Sequence, residues 1–176
     1  MDNINVACVG VGYWGKNLVR NFYSLPGCNL RICCDLSDDN LSTVTANYPG
    51  VAVTDQFDTV LKDPSIDAVV IASPAACHYD MVRQALQAGK HVYVEKPLTL
   101  NVNHAEKLCS IADETDRVLM VGHLMEYHPA VDKLKELVDS GELGDLYYLY
   151  AQRVNLGIIR KDENAFWSLA PHDISI

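Results

Sequence analysis

The chain has 176 residues, 49% of them hydrophobic and 21% charged, an ordinary globular composition that suits one domain with a core, or one domain and part of another. Its formal net charge of −9 argues against nonspecific binding to nucleic acid or to an anionic membrane surface. The longest apolar stretches, such as 68–72, are far too short to span a bilayer, and the N-terminus shows no signal-peptide pattern.

Ile4 to Val9 reads as a buried strand. Gly10, Gly12 and Gly15 follow at once in G-x-G-x-x-G spacing, with Tyr13 and Trp14 between them. A helical pattern then begins, with Leu18, Val19 and Phe22 on one face. In such a setting the first glycine permits the turn, the second lets the backbone approach a pyrophosphate, and the third lets the helix pack on the strand. The helix N-terminus adds free N–H groups and a positive dipole end.

A second apolar run, Leu30 to Cys34, ends in Asp35, 20 residues past Gly15. That is where a dinucleotide site places the acid that binds the ribose 2′-hydroxyl. A carboxylate there accepts from a free diol and repels a 2′-phosphate. The next residues, Leu36, Ser37 and Asp38, supply no arginine, so the pattern favours NAD over NADP. The competing reading of Asp35 is a cap for the next helix.

Leu41 to Asn47 then reads as helix, Val51 to Val53 as a short strand, and Phe57, Val60 and Leu61 as a small helix ending before Pro64. The β-branched run 68–71 reads as a buried strand, broken by Ser73-Pro74. Met81, Val82, Ala85 and Leu86 form a helical stripe stopped by Gly89. His91 to Val94 is the next strand, followed by Glu95-Lys96-Pro97, in which Lys96-Pro97 is a candidate cis peptide. A helix capped by Thr99 or Asn101 shows Ala105, Leu108, Cys109 and Ala112 on one face. Val118 to Val121 is the sixth strand. Pro129 opens a further helix with Leu134, Leu137 and Val138 facing inward and Gly141 closing it.

Six strands alternating with helices imply an α/β fold with a doubly wound, parallel Rossmann sheet. The glycine turn, Asp35, Ser73-Pro74, Glu95-Lys96-Pro97 and Gly122-His123 all fall at strand C-terminal ends, where such sheets bind ligands. This domain is expected over residues 1–123. Residues 124–176 read as the beginning of a second, α+β domain: 146–155 is long, aromatic and strand-like, and an apolar Ala165-Phe166-Trp167 and Pro171-His172-Asp173-Ile174 follow. One strand and part of a helix cannot enclose a core. The expectation is therefore a fragment of a longer chain, or a segment that packs on something else. The six cysteines include no C-x-x-C pair, and Cys8, Cys33 and Cys34 fall in buried strands, as expected of a reduced, cytoplasmic protein without a disulfide framework. No metal-ligand spacing stands out.

These residues resemble the Gfo/Idh/MocA family of NAD(P)-dependent oxidoreductases. The resemblance is carried by 10–16, Ser73-Pro74-Ala75-Ala76-Cys77-His78, 88–97 with its Glu95-Lys96-Pro97, Gly122-His123, and the 141–144 turn. Asn155-Leu156-Gly157, Arg160, 162–164 and 167–173 are similar to the branch that oxidises UDP-N-acetylglucosamine at its 3-hydroxyl. The family's second domain is an open sheet that holds substrate and usually forms the oligomer interface. The resemblance thus implies a homo-oligomer through that sheet in the full-length form, and a nucleotide-sugar substrate.

Alcohol oxidation by NAD needs a hydride path and a base for the hydroxyl proton. Lys96 is the first candidate, since a cationic nicotinamide and partial desolvation favour a neutral amine. Its competing reading is a solvated surface charge. His172 is the second, placed opposite Lys96 by the resemblance. Many members carry Asp four residues before this His; here the position is Ser168, a weaker partner. The resemblance makes His78 and Glu95 cofactor contacts. Arg153, Arg160 and Lys161 gather positive charge that suits a substrate diphosphate or, equally, solvent. His123, Tyr127 and Asn155 are the remaining candidates for the sugar pocket. A free-polyol or inositol dehydrogenase and a noncatalytic NAD-binding module remain the alternatives.

Overall fold

A computed structural model describes residues 3–154 and 164–176. Six parallel strands form one sheet: β1 (Ile4–Val9), β2 (Cys28–Cys34), β3 (Ala52–Thr54), β4 (Ala68–Ile71), β5 (His91–Val94) and β6 (Leu119–Val121), in the order β3-β2-β1-β4-β5-β6. The strand order reverses between β1 and β4, so their C-terminal ends bound the crevice where an open α/β sheet takes ligands. The helices between the strands are α1 (Gly15–Ser24), α2 (Asp38–Asn47), α3 (Phe57–Lys62), α4 (Ala75–Gln87) and α5 (Val102–Thr115).

Alternation along each strand feeds two apolar layers. Val6, Cys8 and Val70 meet Leu18 and Val19 of α1 and Leu41 and Val44 of α2. Ala7, Val9, Val69 and Ile71 meet Val60 of α3, Val82 and Leu86 of α4 and Leu108 of α5. Burial pushes the Cys33 thiol up to about 12 and that of Cys34 to about 11, and raises that of Cys8 as well, so these cysteines serve as small apolar side chains. A register shift between Val6 and Ala7 leaves Arg31 out of the β1–β2 ladder.

The helix starts differ in a way that bears on ligand binding. Ser37 caps α2 by accepting from the Asn40 N–H, and Asn101 caps α5 by accepting from that of His104. The helices α1 and α4, which follow the two strands at the reversal, have no side-chain cap and no acid in the first turn. The short α3 is also uncapped by a side chain. At α1 the Lys16 and Asn17 N–H groups are met by the Gly12 and Trp14 carbonyls, and at α4 the Cys77 N–H by that of Pro74, so backbone rather than a side chain closes both helix starts.

The chain divides into two compact units, residues 1–121 and 122–176. The second holds a single 3-10 turn (Leu124–Tyr127) and α6 (Pro129–Asp139), α7 (Ala165–Leu169) and α8 (Pro171–Ile174) among the described residues. Two expectations are corrected here. Leu134 and Val138 of α6 do not face a core; they are 55% and 40% exposed, and Leu137 is half-buried. The aromatic stretch 146–154 forms no strand, and Tyr147, Tyr148, Leu149 and Tyr150 are all exposed. A strand exists only against a partner, and the described residues supply none. No helix among the described residues is long and apolar enough to cross a membrane.

Away from the ligand edge, Lys90 is 6% exposed just before β5, and its ammonium donates to the carbonyls of Asp63 and Ile66, each at 2.7 Å. Those bonds tie the turn before β4 to the start of β5. Replacing Lys90 by Met leaves the buried Ile66 carbonyl unpaired and the Asp63 carbonyl with only the longer bond from the Ile66 N–H, which should destabilise the domain by about 2 kcal/mol. Urea denaturation checks this, and NAD affinity is expected to stay unchanged because the contact lies at the opposite edge of the sheet.

Candidate functional site

The three glycines do different work. Gly10 has φ +80°, and a Cβ on it would stand 2.7 Å from the backbone of Ala72 and Ser73, so it serves both the turn and the approach of the β4 end. A Cβ on Gly15 would run into the Gly10 carbonyl. The chain's own packing therefore demands both. Gly12 is different: a Cβ there would have only the Asn40 side-chain amide nearby, at 3.4 Å. Nothing among the described residues requires its bare backbone, which leaves room for a ligand to approach closely. Gly12 opens onto a cleft of about 510 Å³ between α1 and α2, lined also by Tyr13, Lys16, Arg20, Asn40 and Tyr48. The sequence reading passed over Lys16, Arg20 and Asn40. Their signal was helical spacing, since Lys16 and Arg20 stand four apart on α1 and so on one face.

Asp35 joins the glycine turn to the end of β2. One carboxylate oxygen accepts from the Val11 N–H at 2.8 Å and the other from the Ser37 N–H at 2.9 Å. The helix cap is Ser37, so Asp35 is not the residue that caps α2. Each carboxylate oxygen has further lone-pair capacity, which a ribose hydroxyl can use.

At the β4 end, the Ser73 hydroxyl is shielded from solvent and has no hydrogen-bond partner, and Pro74 stands immediately before α4. A shielded polar atom left unpaired beside the turn fits a site completed by a bound group. His78, on the first turn of α4, is 1% exposed. Its Nδ1 lies 2.8 Å from the Pro97 carbonyl and its Nε2 2.9 Å from the Ser73 carbonyl, so both nitrogens face protein.

Glu95 is 8% exposed, and its Oε1 accepts from the Trp14 indole N–H at 2.8 Å and the Tyr93 hydroxyl at 3.3 Å. The bond to Trp14 ties the β5 end to the glycine turn, 81 residues away in sequence. Tyr13 is 71% exposed, and the Lys16 ammonium lies 5.8 Å from its ring centroid. Lys96 follows Glu95, is half-buried, and is joined to Pro97 by a cis bond.

The first unit thus brings the glycine turn, Asp35, Ser73, Pro74, His78, Glu95 and Lys96 to the strands' C-terminal edge. The second unit carries the other candidates. The His123 Nδ1 is shielded without a hydrogen-bond partner, and Tyr127 is 68% exposed. Arg153 makes a two-pronged pair with Asp173, at 2.9 and 2.8 Å. That bonding raises the guanidinium pKa and holds the Asp173 carboxyl below its usual range. The Arg153 fork is therefore engaged inside the protein. His172 lies beside Asp173 on α8. Asn155 and Arg160 lie outside the described residues.

A bare glycine open to a ligand, an acid behind it and helix N-termini without side-chain caps at a strand-order reversal suit a dinucleotide, and the first unit is a dinucleotide-binding Rossmann domain. Comparison with known proteins places it further. Residues 4–123 match the GFO_IDH_MocA family, described as an oxidoreductase family with an NAD-binding Rossmann fold, and the chain belongs to that family. It is 34% identical over 148 residues to the uncharacterized oxidoreductase YdgJ of Escherichia coli (84% of this chain, 42% of that protein). It is 33% identical over 150 residues to scyllo-inositol 2-dehydrogenase (NAD(+)) of Bacillus subtilis (82% of this chain, 43% of that protein). Scyllo-inositol dehydrogenase from Lactobacillus casei, solved with NAD(H) and scyllo-inositol, superposes with a TM-score of 0.76 at 28% identity, over 82% of this chain and 43% of that one. The chain spans about half the length of the curated relatives it matches.

Two substitutions test the assignment of parts. Gly12→Ala should fold normally yet bind NAD about tenfold more weakly, a loss of about 1.4 kcal/mol. Gly15→Ala should lower the melting temperature itself; calorimetry with and without NAD separates the two. Asp35→Ala should weaken NAD and narrow its advantage over NADP, which titration with both cofactors reads directly.

Proposed function

We propose that the full protein oxidises a secondary alcohol on a polyhydroxylated ring. The carbinol hydride passes to NAD, the hydroxyl proton passes to the Lys96 amine, and a ketone and NADH result. The observation that carries this reading is the Trp14–Glu95 hydrogen bond. It links the phosphate-binding turn to the strand end from which Lys96 emerges, so the two functions share one edge. His172 is the second candidate proton acceptor in the proposal. A homo-oligomer formed through the C-terminal sheet belongs to the same proposal.

The first substrate we infer is UDP-N-acetylglucosamine, oxidised at its 3-hydroxyl, on the resemblance of the 155–173 stretch. The second reading is a free cyclic polyol. Two of the named dehydrogenases among the relatives act on inositol by their names, and the Arg153–Asp173 pair withdraws one cation from a diphosphate-binding role.

Incubation of the full gene product with NAD and either UDP-N-acetylglucosamine or scyllo-inositol, followed by NADH absorbance, decides between the readings. Turnover of the polyol alone establishes the second, and cofactor binding with no turnover of any ring alcohol removes the enzyme reading. Lys96→Ala should keep NAD affinity and lose turnover by about a hundredfold or more. Unchanged turnover would take Lys96 out of the chemistry.

A further inference from the structure

His78 was expected at the cofactor; the geometry points to a different task. The hydrogen-bonded ladder between β4 and β5 runs out at Ile71 and Val94, with one last bond from the Glu95 N–H to the Ile71 carbonyl. Beyond it the two strands lead into separate loops. One contains Ser73, beside Gly10 of the glycine turn, and the other contains Lys96 and Pro97. The His78 ring lies between them, fully shielded, with Pro97 on one nitrogen and Ser73 on the other.

We propose that His78 is a positioning residue: its Nδ1 contact holds the Pro97 carbonyl, and with it the Lys96–Pro97 loop, at a set distance from α4, and so fixes where the Lys96 amine stands. The role given to that amine rests on the proposed function; the clamp itself does not. Both partners are carbonyl oxygens, which only accept. A ring nitrogen contributes a bond to either of them only when it carries a proton, and a side chain without N–H groups cannot replace it. Rotation about the His78 side chain is blocked by its burial, so the two distances are coupled. A reaction that depends on an amine placed to within a fraction of an ångström is sensitive to such a spacer.

The two contacts can be separated by side-chain length. In His78→Asn the amide nitrogen takes the place of Nδ1, keeping the Pro97 contact and losing that to Ser73. In His78→Gln the amide reaches toward the Nε2 position, keeping Ser73 and losing Pro97. Each variant removes one ring contact from the same buried site, so a purely structural role predicts that both lose stability and leave Lys96 alike.

The proposal predicts an asymmetry. The rate of reductive methylation of Lys96, read by peptide mass spectrometry on the full chain, should stay at the parent value in the Asn variant and change severalfold in the Gln variant. With a turned-over substrate in hand, kcat should fall about tenfold or more in the Gln variant at little change in KM, with the Asn variant closer to the parent. Equal Lys96 labelling in parent, Asn and Gln proteins that all remain folded by circular dichroism would overturn the proposal. The labelling arm needs no substrate. Failure of every ring alcohol to react would therefore count against the proposed function while leaving the clamp to be judged on the methylation rates.

Discussion

The closest constraint in the molecule is the approach of α1 to the turn before it. The Gly15 backbone sits so near the Gly10 carbonyl that no side chain fits between them. That contact sets where the first helix begins and thus where its N-terminal end points. Gly10 is pressed in turn against the end of β4, so the turn is located by two neighbouring strands at once. The third member of the set, Gly12, is left over from this packing. The same three-glycine pattern therefore contains two glycines that the packing demands and one that it leaves open, a distinction that spacing alone does not reveal.

From this turn outward the site is assembled by side chains that connect strand ends. Asp35 fastens the turn to β2, Glu95 fastens it to β5 through Trp14, and His78 joins the loops of β4 and β5. None of these bonds belongs to the sheet ladders. They begin where the ladders stop, and they convert four separate strand termini into one surface. A buried carboxylate such as Glu95 is costly unless donors meet it, and the indole and phenol N–H and O–H groups supply that compensation.

Much of the fold was legible in the chain because its signals are local. The β-branched run 68–71 and the stretch 91–94 became β4 and β5 with the expected bounds, and Asn101 caps α5 as its position before the apolar stripe suggested. The candidate site was legible only as a set of positions along one edge. Which residue touches which was not, because the Trp14–Glu95 bond spans 81 residues and the Lys90 bonds span 27 and 24, distances over which sequence pattern carries no pairing information. The reading failed where it assumed a partner. The aromatic, strand-like stretch 146–154 and the stripe of α6 are real sequence patterns, yet a pattern becomes strand or core only when a second surface meets it, and the described residues do not contain one.

The indole of Trp14 has an optical consequence. The chain contains only two tryptophans, and this one stands on the glycine turn with its N–H bonded to a carboxylate. Its emission colour and lifetime depend on that bond and on the surrounding polarity. Replacement of Trp167 by phenylalanine would leave a single tryptophan, on the glycine turn, whose spectral overlap with a reduced nicotinamide makes energy transfer a direct gauge of occupancy without any label attached.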